Sequence, residues 1–297
     1  MPQKTNKKVV ITAAFLILCI IVLFLYIFIL QKKQPAVQPV EIHKEVVQAT
    51  STTSIIGKSV NGRNILAHTF GTGSKHITFV GGIHGGYEWN SVVLAYTLID
   101  HLHTHPELIP SSLTVTIIPS LNPDAVYKVT GKEGNFTAND VTTNEEVLQS
   151  ARFNANGVDL NRNFNCKWQP KSTWRSKSVS AGTSPFSEPE AQAFKNYITK
   201  NTPTAVIFWH SQSNAVYASQ CEAGILEGTT NLMNIYAKAS LYPAIPTFDA
   251  YAVTGAAEDW LASISIPAIT VELKTHEAIE WDKNLAGSQA VINYYGK

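Results

Sequence analysis

The sequence predicts a single α/β domain, in which a mixed, largely parallel central sheet is flanked by helices and preceded by one transmembrane helix. Short apolar runs alternate with helical patterns from residue 51 to residue 297. The runs are not strictly alternating in polarity, as expected for strands that are covered on both faces. An apolar segment without charges comes before them. Because ligands of open α/β sheets bind where strands end, we expect the functional residues there.

The N-terminal segment predicts an uncleaved membrane anchor. Residues 9–30 are uncharged and mostly apolar, and an α-helix needs roughly 20 such residues to cross a bilayer. The segment is too long for a signal-peptide core and lacks a small-residue cleavage site. Three lysines precede it, which favours residues 1–8 as a short cytoplasmic tail and places the domain outside the cytoplasm.

The remaining chain organisation follows from composition. Residues 31–50 contain Pro, Gln and charged residues with little apolar periodicity, which is typical of a linker. The domain then covers residues 51–297 without an internal repeat, and we expect a monomer. The 50 residues before the domain leave no room for a folded inhibitory prodomain, so we expect activity without proteolytic maturation.

Charge argues against one class of partner. Beyond residue 33 the chain has 18 basic and 22 acidic residues. A net negative domain is a poor match for the phosphate backbone, so nucleic acid is not an expected partner.

Individual elements can be placed from local signals. The stretch "SIIGKSVNGRNILAHTF" predicts a hairpin around Asn61-Gly62, because this dipeptide accepts the positive φ angles of a tight turn. Strands are predicted at "HITFV", "LTVTII", "AVIFW" and "AITVEL". Helices are predicted at "WNSVVLAYTLIDHL", "SEPEAQAFKNYI", "TNLMNIYAKAS" and "NLAGSQAVINYYG", the second with Ser187 and Glu190 spaced as a capping box.

Four polar clusters fall at predicted strand ends. They are His84 with Glu88, the segment "RFNANGVDLNRNF" with Arg152, Asp159, Asn161 and Arg162, His210 in "FWHSQS", and Glu272 in "TVELKTH". Each cluster alone has an ordinary structural explanation, such as a tight connection, a hydrogen-bonded core histidine or a surface ion pair. A carboxylate inside an apolar strand is nevertheless costly unless it is paired, bound to metal or catalytic.

Taken together, the clusters predict a zinc hydrolase. Two histidines and one carboxylate form a three-ligand zinc set that leaves a fourth position for water. A separate Glu can act as the base for that water. The sequence therefore contains every side chain that this chemistry requires.

The sequence resembles the zinc carboxypeptidases of the carboxypeptidase A type. The resemblance covers residues 55–297 through "IGKSVNGRNI", "GGIHGGYE", "NPDAV", "NANGVDLNRNF", "FWHSQS", "YAVTGAAEDW" and "ITVEL", in the family's order. The resemblance implies that His84, Glu88 and His210 bind Zn²⁺ and that Glu272 is the general base. It also implies that Arg152 polarises the scissile carbonyl. Asn161 and Arg162 would bind the terminal carboxylate of the substrate, and Tyr251 would close over the bound residue.

One departure from the family concerns the first two ligands. The family usually separates this His and Glu by two residues, whereas three separate His84 from Glu88. Residues four apart on a regular helix still share one face, so both side chains can reach one ion. Gly85 and Gly86 give the backbone further freedom.

The cysteines predict one disulfide. Cys19 lies in the membrane segment, which leaves Cys166 and Cys221 as a pair in an exported domain. The alternative is two unpaired buried thiols.

The preferred leaving residue is predicted from Glu258 in "GAAEDW". In the resembling enzymes the residue two before this Trp lies at the floor of the pocket for the leaving residue. An acid there favours a basic or diamino-acid end. The alternative is that Glu258 only begins a helix, where an acid meets the helix dipole favourably.

The predicted function is therefore zinc-dependent hydrolysis of the C-terminal peptide bond of peptides. Two alternatives remain at this stage. One is an amidase or endopeptidase acting on cell-wall peptides, and the other is a peptide-binding protein that has lost catalysis. The complete ligand set with Glu272 argues against the second.

Overall fold

The computed structural model describes residues 7–32 and 51–297, which belong to two compact units. The linker predicted at residues 31–50 lies outside the described residues apart from its first two positions. The same is true of residues 1–6 of the predicted tail.

The first unit contains helix α1 (Lys7–Lys32). Its stretch Ala14–Lys32 has a mean hydropathy of 3.0, so it is long and apolar enough to cross a membrane. The apolar segment of a signal sequence meets the same criterion.

The second unit is built on one eight-stranded sheet and two small ribbons. The strands are β1 (Ser51–Lys58), β2 (Asn64–Phe70), β3 (Lys75–Val80), β4 (Leu113–Ile118), β5 (Lys171–Trp174), β6 (Lys177–Ser180), β7 (Ala205–Ser211), β8 (Ala215–Ala218), β9 (Gln220–Cys221), β10 (Gly224–Ile225), β11 (Ala244–Ile245) and β12 (Ala268–Leu273).

The main sheet has the order β1-β2-β4-β3-β7-β12-β8-β11. Its four central strands β4, β3, β7 and β12 are parallel to one another. Strands β1 and β2 pair antiparallel, as do β2 with β4 and β8 with β12, whereas β11 pairs parallel with β8. The prediction of a mixed, largely parallel sheet is therefore confirmed. The carboxyl ends of the central strands meet at one edge.

Helices cover both faces of this sheet. They are α2 (Trp89–Thr104), α3 (Pro123–Thr130), α4 (Glu145–Ser150), α5 (Pro189–Asn201), α6 (Glu227–Ser240), α7 (Ala257–Ser263) and α8 (Trp281–Tyr295), with short 3-10 turns at Gly85–Glu88, Pro106–Leu108, Ala138–Asp140 and Leu160–Arg162.

Strand β7 shows why its sequence is an unbroken apolar run. Ile207 and Trp209 pack in the core under α2, α6 and α8, whereas Val206 and Phe208 pack in the core under α5 and α7. All four side chains are at most 1% exposed. Because both faces are dry, the strand lacks the polar alternation of a half-exposed one.

The predicted hairpin is confirmed, but the predicted capping box is wrong. Strands β1 and β2 pair around a turn in which Gly62 has φ of +83°. Helix α5 instead begins after Glu188 without a side-chain cap. The Ser187 hydroxyl donates to Glu188, and the Glu190 carboxylate accepts the backbone N–H of Val60 at 3.0 Å. Long-range partners have replaced the local ones.

A buried carboxylate ties this hairpin turn to α3. Asp124 accepts hydrogen bonds from the Ser59 hydroxyl, the Asn61 N–H and the Arg63 guanidinium at 2.8 to 2.9 Å. The Asp124 side chain is 3% exposed. Removing it leaves these donors, one of them charged, without their acceptor.

Replacing Asp124 by Ala is expected to lower the free energy of unfolding by about 3 kcal/mol, the range for breaking one partner of a buried charge pair. Urea denaturation measures this change. The control is Lys132→Ala, which breaks an exposed pair with Asp140 and should change stability little. Equal effects of the two substitutions would contradict the structural role of Asp124.

Candidate metal centre and substrate cleft

The parallel register brings two predicted site residues side by side. His210 near the end of β7 is paired with Glu272 of β12, so both side chains project from the same face of the sheet. His84 follows β3, the neighbour of β7 on the other side. The carboxyl edge of three adjacent strands therefore carries the two histidines and the glutamate.

The glycine-rich turn after β3 is required by close packing. Gly85 has φ of +47°, and a Cβ atom at Gly85 or Gly86 would collide with Ala125 of α3. The turn Gly85–Glu88 is a 3-10 helix and not the regular helix considered from the sequence. It still brings the Glu88 carboxylate to 2.8 Å from His84 Nδ1. The unusual spacing is therefore compatible with a shared ion.

Three side chains converge on one point. His210 Nδ1 lies 3.0 Å from Glu88 Oε2 and 3.2 Å from His84 Nδ1. One ligand atom from each of the three residues lies within 4.8 Å of the other two. All three residues are at most 4% exposed.

The Nε2 atom of each histidine ring, on the side away from Glu88, faces a further carboxylate. His210 Nε2 donates to Glu258 Oε1 at 2.8 Å, and His84 Nε2 lies 3.3 Å from Asp159 Oδ1. With a metal ion at the convergence point, each ring would keep its proton on Nε2, which faces one of these carboxylates, and would offer the lone pair of Nδ1 to the metal.

This donor set fits zinc. Two neutral imidazole nitrogens and one carboxylate oxygen are a common set for a catalytic zinc ion, and carboxylates behind the histidines fix their tautomer and orientation. Burial opposes ionisation of Glu88, but the charge and hydrogen bonds of the neighbouring His84 and His210 outweigh it and hold its pKa well below the usual range. A bound metal ion would supply this positive charge when the rings are neutral. Glu88 is therefore the ionised form that a metal ligand needs.

Glu272 lies beside the cluster, and its pKa is shifted in the opposite direction to that of Glu88. Burial, and then the charge of Glu88, raise the pKa of Glu272 to about 7. Its Oε2 atom is buried and has no hydrogen-bond partner among the described residues. A carboxylate with an elevated pKa and an unpartnered oxygen is suited to accepting a proton near neutral pH.

Arg152 is held rigidly next to the cluster. Its Nε and one terminal nitrogen donate to Asp159 Oδ2 at 3.0 and 2.9 Å, and the other terminal nitrogen lies 3.5 Å from Glu88. Burial of Asp159 is outweighed by Arg152, and the pKa of Asp159 lies well below its usual range. The sequence showed Asp159 inside its motif without indicating that it links Arg152 to His84.

Asn161 and Arg162 lie further along the same surface. Asn161 Oδ1 accepts the backbone N–H of Ala257 at 2.8 Å, which places it at the start of α7. The Arg162 guanidinium donates to the carbonyls of Asn161 and Thr173. These bonds use three of its five N–H groups, and one remains on each terminal nitrogen.

All of these side chains line one open cleft of about 760 Å³. The other predicted residues on its wall are Tyr251, Glu258 and Cys166. Tyr251 packs edge-on against Phe248 at 4.9 Å. The volume is in the range of small-ligand sites.

A disulfide joins Cys166 to Cys221 with a Cα–Cα distance of 6.0 Å. Cys166 O also accepts the Gly255 N–H at 2.8 Å. The cross-link thereby connects the segment after Arg162 with β9 and with the loop that leads into α7.

Sequence reasoning missed the wall formed by Tyr87, Trp174, Arg175 and His276, which also lines the cleft. Trp174 and Arg175 belong to the β5–β6 ribbon, whose four-residue strands are too short for a periodic signal.

The sequence matches the family model described as zinc carboxypeptidase over residues 41–285. The chain therefore belongs to the zinc carboxypeptidase family. Among the described residues, His84, Glu88 and His210 are a group that could hold a metal ion.

Three relatives illustrate the similarity. The γ-D-glutamyl-L-diamino acid endopeptidase 1 of Lysinibacillus sphaericus is 27% identical over 241 residues, 73% of this chain, which spans 59% of that protein's length. The fold is similar to murein-tripeptide amidase MpaA from Escherichia coli O157, with TM-score 0.56, 21% identity and coverage of 82% of this chain and 92% of that one. The fold is also similar to that of thrombin activatable fibrinolysis inhibitor, with TM-score 0.61 and 18% identity. The match covers 83% of this chain and 72% of that one.

Replacing Glu258 by Ala is expected to weaken zinc binding by about 10- to 100-fold, because His210 loses the carboxylate that orients it. Competition with a fluorescent chelator measures this affinity. Glu258→Gln keeps an acceptor oxygen and should lose less zinc affinity than Glu258→Ala. The matched control is Asp259→Asn, whose carboxylate accepts the Gln220 N–H instead of touching a histidine. Unchanged zinc affinity in Glu258→Ala would contradict the orienting role.

Proposed function

We propose that this protein hydrolyses the peptide bond before a C-terminal residue that is basic or a diamino acid. The observation that carries the proposal is that one cleft is lined by a zinc-type ligand set, by Glu272 and by Arg162. In the proposal the scissile carbonyl lies at the ligand set and the terminal carboxylate at Arg162. In the proposal Zn²⁺ is held by His84, Glu88 and His210.

The chemical step needs the metal ion and two protein side chains. Zinc in such a site lowers the pKa of a bound water molecule to about 7 and polarises a carbonyl. Glu272 accepts a proton from the attacking water and later donates it to the leaving amine. Arg152, fixed by Asp159, stabilises the negative charge that forms on the carbonyl oxygen.

The terminal residue is held by the other end of the cleft. Arg162 has one N–H left on each terminal nitrogen, which suits a planar carboxylate. Asn161 lies next to it, and Tyr251 covers the bound residue.

Replacing Glu272 by Gln is expected to lower kcat at least 100-fold while zinc stays bound, because the amide cannot accept the proton.

In the parent, kcat/KM should rise with pH on an acid limb, since Glu272 is active only when ionised. Burial places the midpoint of that limb above the ordinary Glu value, and the positive zinc ion keeps it below about 7.

Both effects are measured by activity assays of the parent and of Glu272→Gln at several pH values, with the same zinc content in each protein. Near-normal turnover of the Gln variant, or a parent whose rate falls as pH rises through this range, would show that Glu272 is not the base.

Acidic residues support a basic leaving residue. Glu258, Asp259 and Asp249 line the cleft. Burial, and to a lesser extent the charge of Glu258, raise the pKa of Asp259 to about 7. An ammonium or guanidinium group would pair with these carboxylates, of which Glu258 is buried, Asp259 partly buried and Asp249 exposed, whereas an apolar side chain would bring no cation to them.

The expected result is that zinc-loaded protein cleaves peptides ending in Lys at least about tenfold more efficiently than those ending in Phe, compared as kcat/KM. Glu258→Ala at saturating zinc should narrow this ratio. A parent that prefers Phe, or a variant with an unchanged ratio, would remove Glu258 from the specificity role.

A second candidate is a hydrolase of cell-wall peptides. The similarity to a γ-D-glutamyl-L-diamino acid endopeptidase favours it, because that name specifies a diamino acid on the leaving side. An N-terminal helix that anchors the domain outside the cytoplasm would bring it near this substrate. Mass spectrometry of a peptide mixture and of a muropeptide mixture, each incubated with the protein, distinguishes the two candidates.

A further inference from the structure

The β5–β6 ribbon forms one wall of the cleft through Trp174 and Arg175. The Trp174 ring packs edge-on against Tyr87 at 5.2 Å, and Tyr87 lies 4.5 Å from the His276 ring. The Arg152 guanidinium lies over Trp174 at 4.7 Å from its centroid. The aromatic wall therefore begins beside the metal cluster.

Strand β5 shows which end of the cleft this wall belongs to. The Ser172 hydroxyl contacts Thr254 at 2.9 Å, and the Thr173 carbonyl accepts from Arg162. The next residue, Trp174, faces Arg152. The strand thus runs from the proposed site of the terminal carboxylate to the group beside the scissile carbonyl.

Arg175 is the next residue and lies in the two-residue turn that joins β5 to β6. It is therefore at the end of the ribbon that carries Trp174, away from Thr173. It also lines the cleft. This position is on the acyl side of the scissile bond, opposite to the leaving residue.

Arg175 has a charge that nothing in the described protein pairs. Its side chain is exposed at the ribbon turn, and its guanidinium lies 5.6 Å from the Trp174 centroid. It makes no ion pair or hydrogen bond with any residue in 7–32 or 51–297. The cleft acids Glu258 and Asp259 belong to α7, at the leaving-residue end.

We propose that Arg175 binds a free carboxylate on the residue that supplies the acyl group, with Trp174 and Tyr87 as the walls of this subsite. A guanidinium fork matches a planar carboxylate, and nearby aromatic rings reduce its exposure to water. A γ-linked glutamyl residue has this chemistry, because its α-carboxylate stays free while its γ-carbonyl forms the scissile bond. The inference rests on the proposed hydrolase function and extends it to the acyl side.

The test uses two substrates that differ in one group. Both are γ-D-glutamyl-L-lysine peptides, one with the free α-carboxylate and one with that group converted to a carboxamide. Zinc-loaded, full-chain protein should cleave the acid at least about tenfold more efficiently than the amide.

Arg175→Ala should bring this ratio close to one by raising KM for the acid alone, with kcat nearly constant. Arg175→Lys should keep part of the preference, because the charge remains without the fork. The matched control is Lys177→Ala, on the same ribbon and 5.7 Å from the same ring but outside the cleft lining, which should keep the parent ratio. The proposal is overturned if the parent cleaves both substrates equally well. It is also overturned if Arg175→Ala lowers kcat/KM for the acid and for the amide by the same factor.

A binding measurement separates this proposal from the proposed function. Calorimetry with zinc-loaded Glu272→Gln protein gives the Kd of both peptides without hydrolysis. If the parent cleaves neither these peptides nor ordinary peptides ending in Lys, the proposed function fails, while tighter binding of the acid that depends on Arg175 still supports the subsite. Equal Kd values, or no binding of either peptide, count against the subsite.

Discussion

The site depends on carboxylates that hold the two histidine rings from behind. Glu258 accepts from His210 Nε2, and Asp159 lies next to His84 Nε2. With their protons fixed there, both Nδ1 atoms point at Glu88. Without these partners, two rings whose Nδ1 atoms are 3.2 Å apart would have no reason to present lone pairs to the same point.

The fold supplies each part of this arrangement from a different element. The parallel register of β7 and β12 sets His210 beside Glu272, and the glycine turn packed on α3 brings Glu88 under His84. Helix α7 carries Glu258, and the disulfide with the Gly255 contact ties the start of that helix to the segment after Arg162. A buried charge network of this kind is costly unless every member is paired, so metal binding and local folding are coupled.

The sequence predicted the parts of the fold that have local signals. Asn61-Gly62 identified the hairpin, and the unbroken apolar run of β7 identified a strand buried on both faces. The ribbons and β8 to β11 were missed, because strands of two to four residues have no measurable period. The capping box at Ser187 failed because distant groups, the Val60 N–H among them, compete for its side chains.

The candidate site shows the same division. The motif order located the residues that converge on the metal position and on the cleft wall. It did not show that the Glu258 side chain reaches His210, because that contact depends on where α7 docks against β7. The wall around Trp174 was equally inaccessible, since it forms only when a ribbon far along the chain packs beside Tyr87.

The central claim is that His84, Glu88 and His210 hold a zinc ion on which hydrolysis depends. The most direct measurement combines metal analysis with a peptidase assay on full-chain protein before chelation, after chelation and after zinc is returned. The account predicts about one zinc per chain, loss of hydrolysis when it is removed, and recovery when it is restored. Undiminished hydrolysis by protein that contains no metal would contradict it.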